Sequence, residues 1–168
     1  MIHPLSVHFA IVLPIIVFIF QSIYLIKKDR VLSKTALILM FVTAFVMIGA
    51  WLTGSKEATD VYPLLTEEGQ TLLLQHRDLG VTLGIGFAIL TGIKLLAYKR
   101  ECRVMETVFA VLLFLAITQN MIQGKMGGEL VYKNGAGVEC PEEDEDWFLE
   151  SYIFYNFIYF ILKSRKKI

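Results

Sequence analysis

The sequence has few of the residues that stabilise small secreted domains or bind nucleic acid. Only two cysteines, Cys102 and Cys140, occur among 168 residues, which is too few to define a disulfide framework. Sixteen Lys and Arg residues balance sixteen Asp and Glu residues, so no basic excess indicates a nucleic-acid partner. The HxH, HExxH, CxxC and GxGxxG patterns are also absent. These absences exclude a disulfide scaffold and leave soluble metal-dependent or dinucleotide-dependent enzymes without support.

Long apolar segments dominate the chain instead. Hydrophobic residues make up 55% of it, and the mean hydropathy is +0.58. The charged residues cluster between five apolar runs, at about residues 4–26, 32–53, 72–98, 104–122 and 147–162. The first four runs are long enough to cross a bilayer, and the first has no features of a removable signal peptide. The sequence therefore predicts an all-α integral membrane protein, with a four-helix transmembrane bundle plus a fifth, aromatic C-terminal helix.

The basic residues predict one orientation of these runs. The turns after runs one and three and the C-terminus are basic, whereas the loops after runs two and four are acidic. By the positive-inside rule the N-terminus lies outside and the C-terminus in the cytoplasm of a bacterial inner membrane. Cys102 and Cys140 then lie on opposite sides, so no disulfide is expected between them. Two regions are predicted: a four-helix membrane domain at 1–138, and an acidic loop with the aromatic helix at 139–168.

All three histidines fall at the outer ends of predicted spans. His3 and His8 open run one, and His76 opens run three. Pro4 suits the first turn of a helix, which predicts that His3 precedes the helix and that His8 lies in its second turn. Single histidines at helix ends are commonly ordinary interfacial residues. Three at one depth predict a shared site, because ionisable groups in membrane spans mark function by default.

Two imidazoles from different helices of a bundle are what a b-type haem requires. We expect His8 and His76 to ligate the iron near the outer face. His3 is expected to be an alternative ligand or a residue that supports the site. Arg77 would neutralise a haem propionate, although an ordinary interfacial arginine is an equal alternative.

Small residues continue from His76 along run three at four-residue spacing, at Gly80, Gly84, Ala88 and Gly92. Such a stripe allows neighbouring helices to approach closely in a membrane. We also expect Gly80 and Gly84 to leave room for a flat macrocycle beside the histidine.

The leading hypothesis is therefore an electron-transfer subunit with one haem b, rather than a stand-alone enzyme. Its expected partners are membrane lipid, a larger membrane complex, the quinone pool, and a soluble redox protein docking on the acidic run at 139–147. One alternative is a cofactor-free structural or assembly subunit. Another is a membrane protein that binds zinc or copper through all three histidines. Few charges are expected deep in any span, and Lys94, near the inner end of run three, is expected to snorkel to the interface.

Three segments resemble a bacterial membrane family known as domain of unknown function 2231 (DUF2231). They are HPLSVHFAIVLP in run one, LLLQHRDLG at the start of run three, and GGELVYKNGAGV after run four. The resemblance covers about residues 2–138, with Ala10 where the family usually has proline. It implies four spans and a shared feature formed by His3, His8, His76 and the Gly-rich segment. Within that segment, residues 129–133 are expected to be extended and to form a hairpin-like lid over the site.

Overall fold

Four long helices make up the part of the chain that the structure describes. A computed structural model describes residues 3–137, with side chains from residue 6 onward. The helices are α1 (His3–Lys27), α2 (Arg30–Val61), α3 (Glu67–Arg100) and α4 (Arg103–Asn134). A short 3₁₀ helix, Tyr62–Leu64, joins α2 to α3. All four long helices are long and apolar enough to cross a membrane, which confirms the predicted four-helix membrane bundle.

Local capping explains where the helices begin and end. Asp29 caps α2, because its side chain accepts a hydrogen bond from the Val31 backbone N–H at 2.9 Å. Thr66 caps α3 in the same way through the Gly69 N–H at 3.3 Å. Lys28 and Glu101 end α1 and α3 in the left-handed region, with φ of +58° and +51°. The α1–α2 and α3–α4 connections are therefore tight, and they lie together at one end of the bundle, here called the turn end.

Each helix contacts its two neighbours in a closed ring. Within the described residues α1 packs on α2 and α4, and α3 packs on the same two helices, so α1 and α3 are diagonal. One apolar core fills the centre of the ring. Its fully buried members are Val17, Ala36, Met40, Phe87, Phe109 and Leu113. The opposite faces carry exposed apolar residues, as expected for helices surrounded by lipid.

Three of the helices extend beyond the fourth at the end opposite the turns, here called the His76 end. The α1 helix has 25 residues, whereas α2, α3 and α4 have 32 to 34. At 1.5 Å per residue they exceed α1 by roughly 10 Å. The extension has a small core of its own, formed by Leu65, Leu73 and Leu130. The N-terminus of α1 therefore lies near the level of His76. Beyond that level, the extensions of α2, α3 and α4 form what is here called the three-helix collar.

The bounds of the helices correct three expectations. Residues 54–61, expected in a polar loop, continue α2, because Ala58 and Val61 pack against the small core. Residues 129–133, expected to be an extended lid, are helical within α4, because Leu130 belongs to that core. His3, expected before the helix, is the first residue of α1. The expected acidic loop and aromatic fifth helix at 139–168 lie outside the described residues.

Lys28→Gly is expected to raise the thermal unfolding temperature of the protein in a zwitterionic detergent. A left-handed backbone costs a residue with a side chain roughly 1–2 kcal/mol, and glycine avoids most of that cost. The neighbouring Lys27→Gly variant is the control, since Lys27 is the last residue of α1. It removes the same charge but is expected to destabilise by about 1 kcal/mol. Equal shifts in both variants would show that charge rather than backbone conformation decides stability here.

Candidate functional site

A set of buried polar side chains links all four helices near the turn end. Lys94 of α3 and Glu106 of α4 form an ion pair, with Nζ 2.6 Å from Oε2. Lys94 Nζ also donates to Gln21 Oε1 of α1 at 2.7 Å and to Ser33 Oγ of α2 at 2.9 Å. No member of this group, here called the buried network, is more than 1% exposed. Each helix therefore contributes one polar side chain to a single cluster.

Every hydrogen of the Lys94 ammonium group has an acceptor in the buried network. The Glu106 carboxylate is equally well bound: Oε1 accepts from Ser33 Oγ and Oε2 from Gln21 Nε2, both at 2.8 Å. Gln21 Nε2 also lies 3.1 Å from the Glu106 backbone oxygen. The charges cancel and the polar atoms are paired, which is the condition under which an ion pair is tolerated in a low-dielectric interior.

The buried network corrects the expectation for Lys94. Lys94 does not snorkel: its side chain points into the bundle, with Nζ 5.3 Å from the centre of the Tyr24 ring. The sequence did contain a signal for this. Lys94 continues the buried helical stripe of Phe87 and Leu90, and Gln21 lies four residues after buried Val17. The phase of Lys94 with the buried face of its helix therefore indicates an inward side chain, whereas its closeness to the helix end had suggested snorkelling.

His76 lies on the α4 side of α3 and is partly buried. Gln123 of α4 donates from Nε2 to the His76 backbone oxygen at 2.8 Å, and the same nitrogen lies 3.3 Å from His76 Nε2. Gly127, one turn further along α4, faces the ring. A Cβ placed there would lie 3.2 Å from His76 Cε1. The imidazole is therefore contacted by an amide and packs closely against α4 at a position that has no side chain.

Of the two α1 histidines, only His8 has a side chain that the structure describes. His8 is exposed and shares its face with the exposed residues Val12, Ile15 and Ile19. His3 is the first residue of the helix. Since α1 and α3 are diagonal, a group that binds to both must reach across the His76 end.

The other predicted site residues have ordinary surroundings. Arg77 is half exposed and pairs with Asp78 of its own helix at 3.0 Å. Gly80 lies close to α4, since a Cβ there would be 3.1 Å from Gln123 Nε2. A Cβ at Gly84 or Gly92 would touch nothing within 4 Å. The glycine stripe therefore permits close packing only at Gly80 and leaves open space at Gly84.

Among residues 6–137 no three His, Cys, Asp or Glu side chains are grouped as metal ligands usually are. The three-histidine zinc or copper alternative therefore gains no support from the side chains that the structure describes. Gln123 Oε1 is buried beside His76 without a hydrogen-bond partner in this part of the chain. An acceptor in that position favours a polar or ligand-bearing role for the His76 end.

Comparison with known proteins places the chain in a family. A family model described as "Predicted membrane protein (DUF2231)" matches residues 1–140, which confirms the resemblance found in the sequence. No curated protein and no solved structure matches the chain.

Lys94→Met is expected to destabilise the protein by about 3–5 kcal/mol, because it leaves the Glu106 carboxylate buried without a counter-charge. The double variant Lys94→Met/Glu106→Leu removes both charges and is expected to regain much of that loss. Unfolding by sodium dodecyl sulfate, followed by circular dichroism, measures both. Glu101→Ala is the control, since the Arg30–Glu101 pair is exposed and screened by solvent, so its loss is expected to change stability little. A double variant no more stable than Lys94→Met would contradict the electrostatic explanation.

Proposed function

We propose that this chain, which belongs to the DUF2231 family of predicted membrane proteins, binds one b-type haem at its His76 end and transfers electrons within the membrane. The observation that carries the proposal is the setting of His76. Its partly buried imidazole lies at the end of a four-helix bundle, is held by Gln123 and faces a glycine of the next helix. A positioned imidazole in a helical bundle is what ligation of a haem iron needs.

The surroundings of His76 are compatible with a flat macrocycle. Gly84 lies eight residues after His76, about 12 Å along α3, and faces open space. Gly128 of α4 is open in the same sense. Gln123 would keep its hydrogen bond to the His76 backbone oxygen, while ligation through Nε2 would replace the 3.3 Å contact with the ring. When bound, the haem would supply reversible one-electron chemistry, and the protein would supply its ligands and a low-dielectric setting.

The second ligand would come from α1, where the exposed position of His8 favours His3. His8 shares the exposed face of α1 with Val12, Ile15 and Ile19. His8 is the ligand predicted from the sequence, and His3 is the ligand that we propose in its place. Arg77 lies at the surface, where it forms an ion pair with Asp78. With haem bound, its guanidinium group would pair with a propionate instead of Asp78.

The charge pattern supports an orientation for this function. Basic residues concentrate at the turn end, which we therefore place in the cytoplasm of a bacterial inner membrane. The haem would then lie near the outer face. A soluble redox partner would dock on that face, with the quinone pool or a larger membrane complex as the other electron carrier.

The buried network favours a second candidate function, a cofactor-free structural or assembly subunit. A closed polar cluster from all four helices favours one rigid arrangement of the bundle. Rigidity of this kind suits a subunit that presents a fixed surface to a complex.

The optical spectrum separates the two functions. Protein produced with haem available and purified in mild detergent is expected to show sharp α and β bands after dithionite reduction. His76→Ala is expected to lose them. His3→Ala is expected to lose them as well, and His8→Ala to retain them. The reverse result for the two α1 variants would make His8 the ligand, and a featureless spectrum of the unaltered protein would exclude the haem proposal.

A matched pair of α4 variants tests the setting of His76 without changing a ligand. Gly127→Ala is expected to lower haem affinity roughly 10–100-fold, as loss of a ligand's supporting contacts commonly does, because the new Cβ displaces the imidazole. Gly128→Ala, one residue further on, meets nothing within 4 Å and is expected to bind haem normally. Haem titration followed by absorbance measures both. Equal affinities would show that Gly127 does not position the ligand.

A further inference from the structure

Two adjoining cavities open at the turn end, outside the His76 site. Each has a volume of about 170 Å³, and both are lined by Tyr24 and Lys28. The first is completed by Leu25 and Arg103, between the end of α1 and the start of α4. The second extends towards Ser33 and Glu106 of the buried network. The cavities together form a recess between helix ends, here called the turn-end recess.

The turn-end recess has an excess of positive charge. Its acidic groups are already paired, Glu101 with Arg30 and Glu106 with Lys94. Lys28 and Arg103 have no acidic partner within 4 Å among the described residues. Arg103 is oriented towards the recess side of α1 by a contact of 3.5 Å from Nη2 to the Leu25 backbone oxygen. Among the described residues, these two cations therefore line one cavity without an acidic group to neutralise them.

The recess lies where lipid-facing surface gives way to charge. Ile26 and Val104, next to the recess residues on α1 and α4, are 80% and 72% exposed. Apolar residues this exposed in a membrane bundle face acyl chains, whereas Lys28 and Arg103 reach headgroup depth. Leu25 supplies an apolar wall inside the first cavity. The recess therefore offers cations on one side and acyl-chain contact on the other.

We propose that the turn-end recess binds a phosphate group, supplied by the headgroup of an anionic membrane phospholipid. Lys28 and Arg103 contact the phosphate from α1 and α4, and the Tyr24 hydroxyl provides a further donor. The glycerol and acyl chains lie along Leu25, Ile26 and Val104. The α1–α4 contact is one side of the helix ring, so the lipid stabilises the side at which the first and last described helices meet.

The test is a thermal-shift titration of the full-length protein in neutral detergent. Phosphatidylglycerol is expected to raise the unfolding temperature in a saturable way, and phosphatidylcholine, whose phosphate is neutralised internally, is expected to raise it little. Inorganic phosphate at millimolar concentration is expected to have no effect, because it lacks acyl chains. A response to inorganic phosphate equal to that of the lipid would retain the phosphate site but overturn the lipid as its source.

Single substitutions distinguish lipid binding in the turn-end recess from general attraction to basic residues on the surface. Lys28→Gly and Arg103→Gln are each expected to weaken phosphatidylglycerol binding about fivefold, the factor expected for one basic contact at a membrane surface. Lys28→Gly is suited to this because position 28 already has a glycine-like backbone, so the fold is retained. The control is Lys99→Gln. Lys99 lies in the last turn of α3, also at the turn end, but it does not line either cavity. Equal weakening by the control, or no weakening by either recess variant, would overturn the proposal.

Discussion

The buried Lys94–Glu106 pair is the constraint on which the arrangement of the bundle depends. The four members of the buried network come from four helices. Each side chain must face the centre of the bundle for all of them to find hydrogen-bond partners. In lipid, apolar faces do not by themselves select which side of a helix points inward, because lipid is as apolar as leucine. A polar cluster does select it, since an unpaired ammonium or carboxylate in hydrocarbon is costly. The buried network thus fixes the rotation of every helix about its axis.

That fixed rotation extends to the other end of the molecule. His76 lies 18 residues before Lys94 on the same helix, about 27 Å away along its axis. Because the helix is continuous, the face presented by Lys94 determines the face presented by His76. Gln123 and Gly127 of α4 then meet His76 for the same reason, since α4 is fixed through Glu106. One ionic contact therefore sets the geometry of a site with which it shares no atom.

The two ends of the bundle differ in how they use polar residues. At the turn end, Lys94 and Glu106 form a buried ion pair, and Lys28 and Arg103 line a recess without an acidic partner among the described residues. At the His76 end, α4 includes Gly124, Gly127 and Gly128, although each glycine lowers helix stability by about 1 kcal/mol. Such a cost is expected where space is needed. Gly127 faces an imidazole and Gly124 would bring a Cβ within 3.0 Å of Ile11, so two of the three are accounted for by close packing.

The sequence alone determined the class of protein, the number of spans among residues 3–137, and the family, because apolar length and motif spacing are local properties. It also brought attention to His76. It did not reveal that α2 and α4 continue into a collar, because the apolar partners that extend them, Leu65, Leu73 and Leu130, come from different segments. Nor did it identify the partners of Lys94, which lie 12 to 73 residues away, although the phase of Lys94 with Phe87 and Leu90 indicated an inward side chain. Tertiary structure decided these points because burial of a charge depends on what the other helices place beside it.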